Sequence, residues 1–512
     1  MPLFHEESTR MEKQSLETFI NDCQVVLNDV LTTYPEIETT NYLQGLPREL
    51  LEKIFRLLPL SLFIPEDYGG RGGGTCHRLA LLEAVSYESI AVGLMMGING
   101  SLFLEPVAKY AQEESRKEIF NSFVSGPSLG GLMITEPGYG TDALSMRTSY
   151  SQTGGLVHLK GSKHWGGLTG LADFWIVTGR KQKENNKLAR DIDLFIVDRA
   201  KREQQISVDE YYHKLGLFLI PYGLNSIDVR LPASSRLIPK TSGIKLMMDL
   251  LHRSRLRLSG IGLGFIKRML DEAVAHCRQR YVGGKSLLAY DQVQHRISVL
   301  QAYFTSASAM CYYTAGVSSL DNDLASYGLQ ANAAKSVLTD MMQDSAQSLL
   351  QLTGAKGYRR DHIAGRAVAD SRPFQIFEGS NDVMYSQVAD SILRKMKDGK
   401  HFNLYDFLYH FDLTSDAADR FKNMLNFELD FSSVQRTRVV LGKIVAKLIA
   451  ANFTFDLYKT DFRPDLVDNA LEVIGNEIAA MMGSLKHSCV VRVLENYGEN
   501  SDWKLYQPLP TA

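Results

Sequence analysis

The feature that most restricts the fold of this chain is a hydrophobic period that changes twice. Up to about residue 125 apolar residues recur at helical spacing. Leu16, Phe19, Ile20, Val25, Val26 and Leu27 form one amphipathic stripe, and Leu46-Pro47-Arg48-Glu49-Leu50-Leu51 opens a second helix with proline in its first turn. Residues 78–96 and 113–124 predict two more. From about 128 the pattern alternates, over 156–160, 174–178, 193–197, 205–213 and 224–231, with glycine-rich turns between. From about 242 helical spacing returns over 243–282, 290–318, 323–353 and 380–396. This order predicts a mainly α protein with a small central β domain: a helical domain over 1–127, an antiparallel β domain over 128–240, a four-helix bundle over 241–398 and a further helical extension over 399–512.

Composition narrows the function classes. A chain of 512 residues is too long for one core, and a net charge of −2 gives no electrostatic reason to expect nucleic acid. Five scattered cysteines (Cys23, Cys76, Cys277, Cys311 and Cys489), none in a C-x-x-C pair, argue against a disulfide framework or a metal site and for a reducing, cytoplasmic compartment. The charged N-terminus lacks the apolar core of a signal peptide, and no stretch is expected to reach the length of a membrane-spanning helix. Gly260-Ile261-Gly262-Leu263-Gly264 lies inside a helical pattern, so it predicts close helix packing rather than a dinucleotide fingerprint. Gly283-Gly284-Lys285-Ser286 ends like a phosphate loop, but Gln279 stands where the first glycine belongs.

One short stretch carries a candidate reactive group. Phe374-Gln375-Ile376-Phe377-Glu378-Gly379-Ser380-Asn381-Asp382 places one carboxylate among apolar residues at a glycine turn, where desolvation would make it a stronger base. Taken alone, it also fits a helix start with a solvated glutamate.

Other motifs change that balance. Ile64-Pro65-Glu66-Asp67-Tyr68-Gly69-Gly70, Leu132-Met133-Ile134-Thr135-Glu136-Pro137-Gly138-Tyr139-Gly140-Thr141-Asp142, Gly161-Ser162-Lys163-His164-Trp165, the run from Gln351 to Tyr358, and Phe377-Glu378-Gly379-Ser380 occur in that order. Together, over about residues 60–395, they resemble the acyl-CoA dehydrogenase flavoprotein family. The resemblance implies bound FAD and α,β-dehydrogenation of an acyl thioester, with Glu378 abstracting the α proton and hydride passing to flavin N5. It implies that Leu132, Ile134, Thr135, Trp165 and Gly167 meet the flavin, and that Gly140 and Thr141 meet the pyrophosphate. Ser380 and Asp382 complete the near side. Arg280, Asp291, Gln351 and Ala355 would serve the FAD of a neighbouring subunit in a homodimer or homotetramer. Thr141, Arg255 and Gly379 would contact substrate, although Arg255 also fits a solvated arginine among Arg253 and Arg257. Some members of the family carry the base just before that arginine; here Ser254 stands there and cannot serve. An acyl-CoA is the implied substrate and an electron-transfer flavoprotein the implied acceptor.

Several positions depart from the family pattern. Gly166 and Gly167 follow Trp165 where an isoleucine and a hydroxyl residue are usual; Asp291 replaces a glutamine, with Gln292 adjacent; Ala369 replaces an arginine before Asp370. An oxidase, a carrier-protein-dependent enzyme and an FAD-free scaffold are therefore the alternatives. In the extension, Val439, Val440, Leu441, Ile444, Val445 and Leu448 are interleaved with Arg436, Arg438, Lys443 and Lys447. This pattern fits a helix on a membrane surface, and better fits one packed on its own protein.

Overall fold

The computed structural model describes residues 14–431, 434–486 and 492–506. The charged segment 1–13 and Cys489 lie outside the described residues. The N-terminal region contains α1 (Leu16–Thr33), α2 (Arg48–Ile54), α3 (Thr75–Glu88), α4 (Ile90–Asn99), α5 (Glu105–Tyr110) and α6 (Glu113–Ser125). Helix α1 is capped by Ser15, whose Oγ accepts from Thr18 N, and buries Phe19, Cys23, Val26, Leu27 and Val30. Val25, placed on that stripe from sequence, points away and is 65% exposed, because it falls on the opposite side of the helical wheel. The single helix expected over 78–96 is two: Ser89 takes an extended conformation and its Oγ caps α4 by accepting from Val92 N. A π turn over Gly100–Leu104 joins α4 to α5. The resulting run, Ile90–Tyr110, does reach membrane-spanning length, with a mean hydropathy of 1.5, correcting the expectation from sequence. It is buried in the protein core, which accounts for its apolarity.

Seven strands follow: β1 (Gly130–Met133), β2 (Ser149–Thr153), β3 (Leu156–His164), β4 (Phe174–Lys181), β5 (Asp193–Asp198), β6 (Ser207–Tyr211) and β7 (Gly223–Pro232). The sheet runs β1-β4-β2-β3-β7-β6, with β5 also on β4. Most pairs are antiparallel as anticipated, but β1 and β2 both pair parallel to β4. Strand β7 alternates buried and partly or fully exposed residues, whereas β5 and most of β4 are buried on both faces. Phe103 and Phe123 of the helical region lie on Phe174, with ring centroids 6.1 Å away in each case. A buried pair pins the loop after β1: Lys163 Nζ donates to Glu136 Oε1 (2.8 Å), Ile134 O and Thr178 Oγ1. Glu136 in turn accepts from the amides of Arg147 and Thr148.

The bundle consists of α7 (Gly243–Gln279), α8 (Asp291–Val317), α9 (Gly328–Thr353), α10 (Ile363–Ser371) and α11 (Asn381–Asp398), with a hairpin of β8 (Tyr281–Val282) and β9 (Lys285–Ser286) after α7. The short helix α10 was not anticipated. Helix α7 packs on α3, α8 and α9. Its contact with α3 is backbone-close: a Cβ on Gly264 would fall 2.1 Å from Glu83 O, which explains the small-residue run there. Glu105 joins the regions by pairing with Arg78 (2.7 Å) and Arg257 (3.0 Å), all three buried.

The extension comprises α12 (Leu404–Tyr409), α13 (Ser415–Arg420), α14 (Lys422–Leu425), α15 (Gln435–Asp456) and α16 (Pro464–Lys486). Helix α15 crosses α8, α9 and α11, and α16 packs on α8 and α15. Leu441, Ile444, Val445 and Leu448 are buried in these contacts, so the stripe packs on its own protein. Helix α16 is described to Lys486, and within the expected helical extension residues 495–500 are turns.

Candidate active site

Two consecutive residues in the left-handed region, Glu378 (φ 53°) and Gly379 (φ 100°), reverse the chain just before α11. Such a conformation costs a non-glycine residue about 1 kcal/mol or more, and persists only where surrounding groups hold it. Here Arg255 Nε and Nη2 donate to Glu378 O (3.1 and 2.8 Å), and Lys335 Nζ donates to Gly379 O (2.8 Å). Arg255 is not a solvated arginine: it lies within α7, is 8% exposed, and its Nη1 donates to Asn332 Oδ1. The Glu378 carboxyl is set by Ser254, whose Oγ donates to Oε1 (2.8 Å), while Oε2 is buried and has no hydrogen-bond partner among the described residues. Burial pushes its pKa above the usual carboxylate range, against the pull of Arg255, the Ser254 hydroxyl and Lys335. The result is a desolvated carboxyl with one oxygen anchored by Ser254.

A second group of residues forms an aromatic shelf. His164 N donates to Thr135 O, and Trp165 N donates to Gly223 O, so the end of β3 lies between the loop after β1 and the start of β7. This brings Leu132, Ile134, Thr135, Trp165 and Gly167 together. Trp165, also left-handed (φ 58°), remains 53% exposed, with its ring 4.6 Å from Tyr212 and 6.0 Å from Tyr222. The space at Gly167 is already taken, since a Cβ there would fall 2.7 Å from Ile98 Cδ1 and 3.5 Å from Tyr222 Cε1. The missing hydroxyl residue at 167 thus has a steric reason. Tyr222 gave no sequence signal beyond a Pro-Tyr-Gly turn; its ring lies beside Trp165, and its phenol is pushed up by burial and by the Glu378 charge. Gly140 and Thr141 lie in an exposed loop. An indole more than half exposed, an accessible glycine-rich backbone and a buried carboxylate oxygen without a partner together suit a flat, anionic dinucleotide such as FAD.

The remaining candidates are elsewhere. Ser380 precedes α11 and the exposed Asp382 lies in its first turn, both close in sequence to Glu378. Arg280, Asp291, Gln351 and Ala355 are exposed at the far ends of the bundle helices. Along α9, Gln351 follows Lys335 by sixteen residues, about 24 Å at helical rise. These residues therefore do not meet the Glu378 site within one chain. Beside them His276 is lowered by burial and by the charges of Lys356 and Arg280, so this end is basic. Behind Ala369, Asp370 accepts from Leu217 N (2.6 Å), and burial raises it to about 7, with Arg366 and Lys214 as the facing cations. Lys214, from the connection between β6 and β7, was not singled out from sequence.

Helical region, sheet and bundle, with a buried glutamate on the bundle and an aromatic shelf on the sheet, define a flavoenzyme fold of the acyl-CoA dehydrogenase type. Family models for the acyl-CoA dehydrogenase N-terminal, middle and C-terminal domains match residues 25–127, 131–224 and 241–393, and the chain belongs to the acyl-CoA dehydrogenase family. It is similar to an acyl-CoA dehydrogenase of Bacillus subtilis (strain 168), 26% identical over 68% of this chain and 90% of that protein. It is 25% identical to the caffeyl-CoA reductase–Etf complex subunit CarC of Acetobacterium woodii, over 68% of this chain and 90% of that one. The structure of an acyl-CoA dehydrogenase from Bacillus anthracis complexed with FAD superposes with a TM-score of 0.74 at 20% identity, covering 93% of this chain and 88% of that one. The protein is an FAD-dependent oxidoreductase acting on CH–CH bonds.

Proposed function

We propose that the protein dehydrogenates an acyl thioester, an acyl-CoA, between its α and β carbons, with Glu378 as the base that removes the α proton. The observation that carries this reading is the Glu378 carboxylate, buried, anchored through Oε1 and unpartnered at Oε2. An α proton is weakly acidic, so the thioester oxygen needs a donor as charge develops on it; we assign the Glu378 amide to that role. FAD, when bound, supplies the acceptor for the β hydride. We assign Leu132, Ile134, Thr135, Trp165 and Gly167 to its ring, Gly140 and Thr141 to its pyrophosphate, and Ser380 and Asp382 to the near side of the site. Thr141, Arg255 and Gly379 are assigned to the substrate.

The separation of Arg280, Asp291, Gln351 and Ala355 from the site supports giving them to the FAD of a second copy, and hence a homodimer or homotetramer. An electron-transfer flavoprotein is the proposed acceptor; the relative named as part of an Etf complex supports it. The test is anaerobic titration of the purified holoprotein with acyl-CoAs of graded length, following the flavin band at about 450 nm. Glu378→Gln should retain FAD and slow bleaching by about 10²–10⁴-fold. Bleaching at the native rate would show that the base lies elsewhere.

A further inference from the structure

The turn that carries Glu378 is linked toward the C-terminal extension through the Asp340 carboxylate and Tyr385. Lys335 Nζ, which holds Gly379 O, also donates to Asn381 Oδ1 (2.9 Å). The amide end of Asn381 donates to Asp340 Oδ1 (2.7 Å) and Thr339 Oγ1 (3.0 Å). Asp340 also accepts from Gln375 Nε2 (2.6 Å) and, on its other oxygen, from the Tyr385 hydroxyl (2.7 Å). One carboxylate thus collects donors from before the base, from after it and from α11.

Tyr385 is fully buried, and the extension closes over it. Gly442 of α15 lies so near that a Cβ there would fall 1.9 Å from Tyr385 O, and Lys443 Nζ sits 5.5 Å from the centre of its ring. Beyond it, Lys447 of α15 pairs with Glu477 of α16 (2.6 Å), and Glu477 accepts from Tyr303 of α8 (2.8 Å). The Tyr385 phenol is pushed far up by burial and by Asp340, with Glu477 and Asp344 adding to the shift, so it stays a donor.

We infer that Asp340 is a positioning residue: through Tyr385 it lets the extension set the Asn381–Lys335 pair, and through that pair the Glu378–Gly379 turn. This rests on the reading of Glu378 as the base. Removing the Tyr385 hydroxyl leaves Asp340 Oδ2 without this donor and frees the carboxylate to turn away from Asn381. Lys335 then loses the amide that aims it, and the left-handed turn relaxes. A base displaced by a fraction of an ångström still binds substrate but meets the α proton badly.

The test compares native holoprotein with Tyr385→Phe, which keeps the ring under Gly442, and with Asp340→Asn. Hydrogen exchange in peptides spanning 375–382 is measured without substrate, and flavin reduction by acyl-CoA is measured for its limiting rate and KM. In both variants exchange in that segment should speed up about tenfold and the limiting rate should fall about tenfold, with KM changed by less than about twofold. FAD content and exchange elsewhere should be unchanged. Unaltered exchange and rate would overturn the inference, as would loss of protection throughout bundle and extension. If no acyl-CoA bleaches the native flavin, the functional reading fails, while the exchange result still decides whether Asp340 sets the turn.

Discussion

Ser254 shows how much one hydroxyl contributes at this site. It cannot remove a proton, but it supplies the hydrogen bond Glu378 receives from a side chain, at 2.8 Å. That bond favours the ionised form, whereas burial, the larger effect, disfavours it. As the proposed base, Glu378 must be deprotonated to act, so flavin reduction should rise with pH through a pKa above the ordinary carboxylate range. Ser254→Ala removes a lowering influence and should move that limb to higher pH by about one unit, measured by stopped-flow reduction across pH. The folded protein holds this proton more tightly than the unfolded chain does. The contribution of Glu378 to stability is therefore largest at low pH and declines as pH rises through the folded pKa. Glu378 itself was legible in the sequence because a carboxylate beside glycine in an apolar run is conspicuous. Ser254 stood out only as a residue that cannot be the base, and Lys335 not at all, since a lysine inside a helical pattern looks like any solvated face. Tyr222 was hidden for another reason: proximity created by β7 leaves no local mark.

Among the elements, helices were found wherever the apolar stripe was long, and mistakes came at interruptions. The break at Ser89 depends on one side-chain cap and an extended backbone, neither of which disturbs hydrophobic spacing. Strands β4 and β5 are buried where alternation was expected; on β4, Phe103 and Phe123 of the helical region cover Phe174, on a face that period alone assigns to solvent. The glycine run in α7 was legible as a packing surface, and it yields a strong prediction. Gly264→Val places side-chain atoms where Glu83 O already lies, 2.1 Å from the Cβ position. The helices must separate, and the variant should lose about 3 kcal/mol or more, measured by chemical denaturation. Replacing the exposed Ala275, further along the same helix, by Ser should change stability by less than about 0.5 kcal/mol.

For the molecule as a whole, the three-part order was visible because a changing hydrophobic period marks each region. The place of the extension was not, since an amphipathic helix carries no label for the surface it meets. Its basic residues are spent within the protein: Arg438 pairs with Asp390, and Lys447 with Glu477. The face it covers includes Tyr385, Val388 and Ile392 of α11. A chain ending at residue 399 would expose that surface, and we expect it to aggregate or to elute without flavin in size-exclusion chromatography at 450 nm, roughly the flavin maximum. A soluble, yellow, monodisperse product would contradict this.

The left-handed turn at Glu378 also bears on how the protein is made. During synthesis the shelf strands and the start of the bundle leave the ribosome well before α15 exists. The contacts that cover Tyr385 close a long loop late in the chain, and such contacts form slowly. A nascent molecule can therefore have a complete sheet and most of its bundle while the residue we assign as base is not yet in its final conformation. On the proposed coupling, the reactive geometry is then among the last features to appear in the emerging polypeptide.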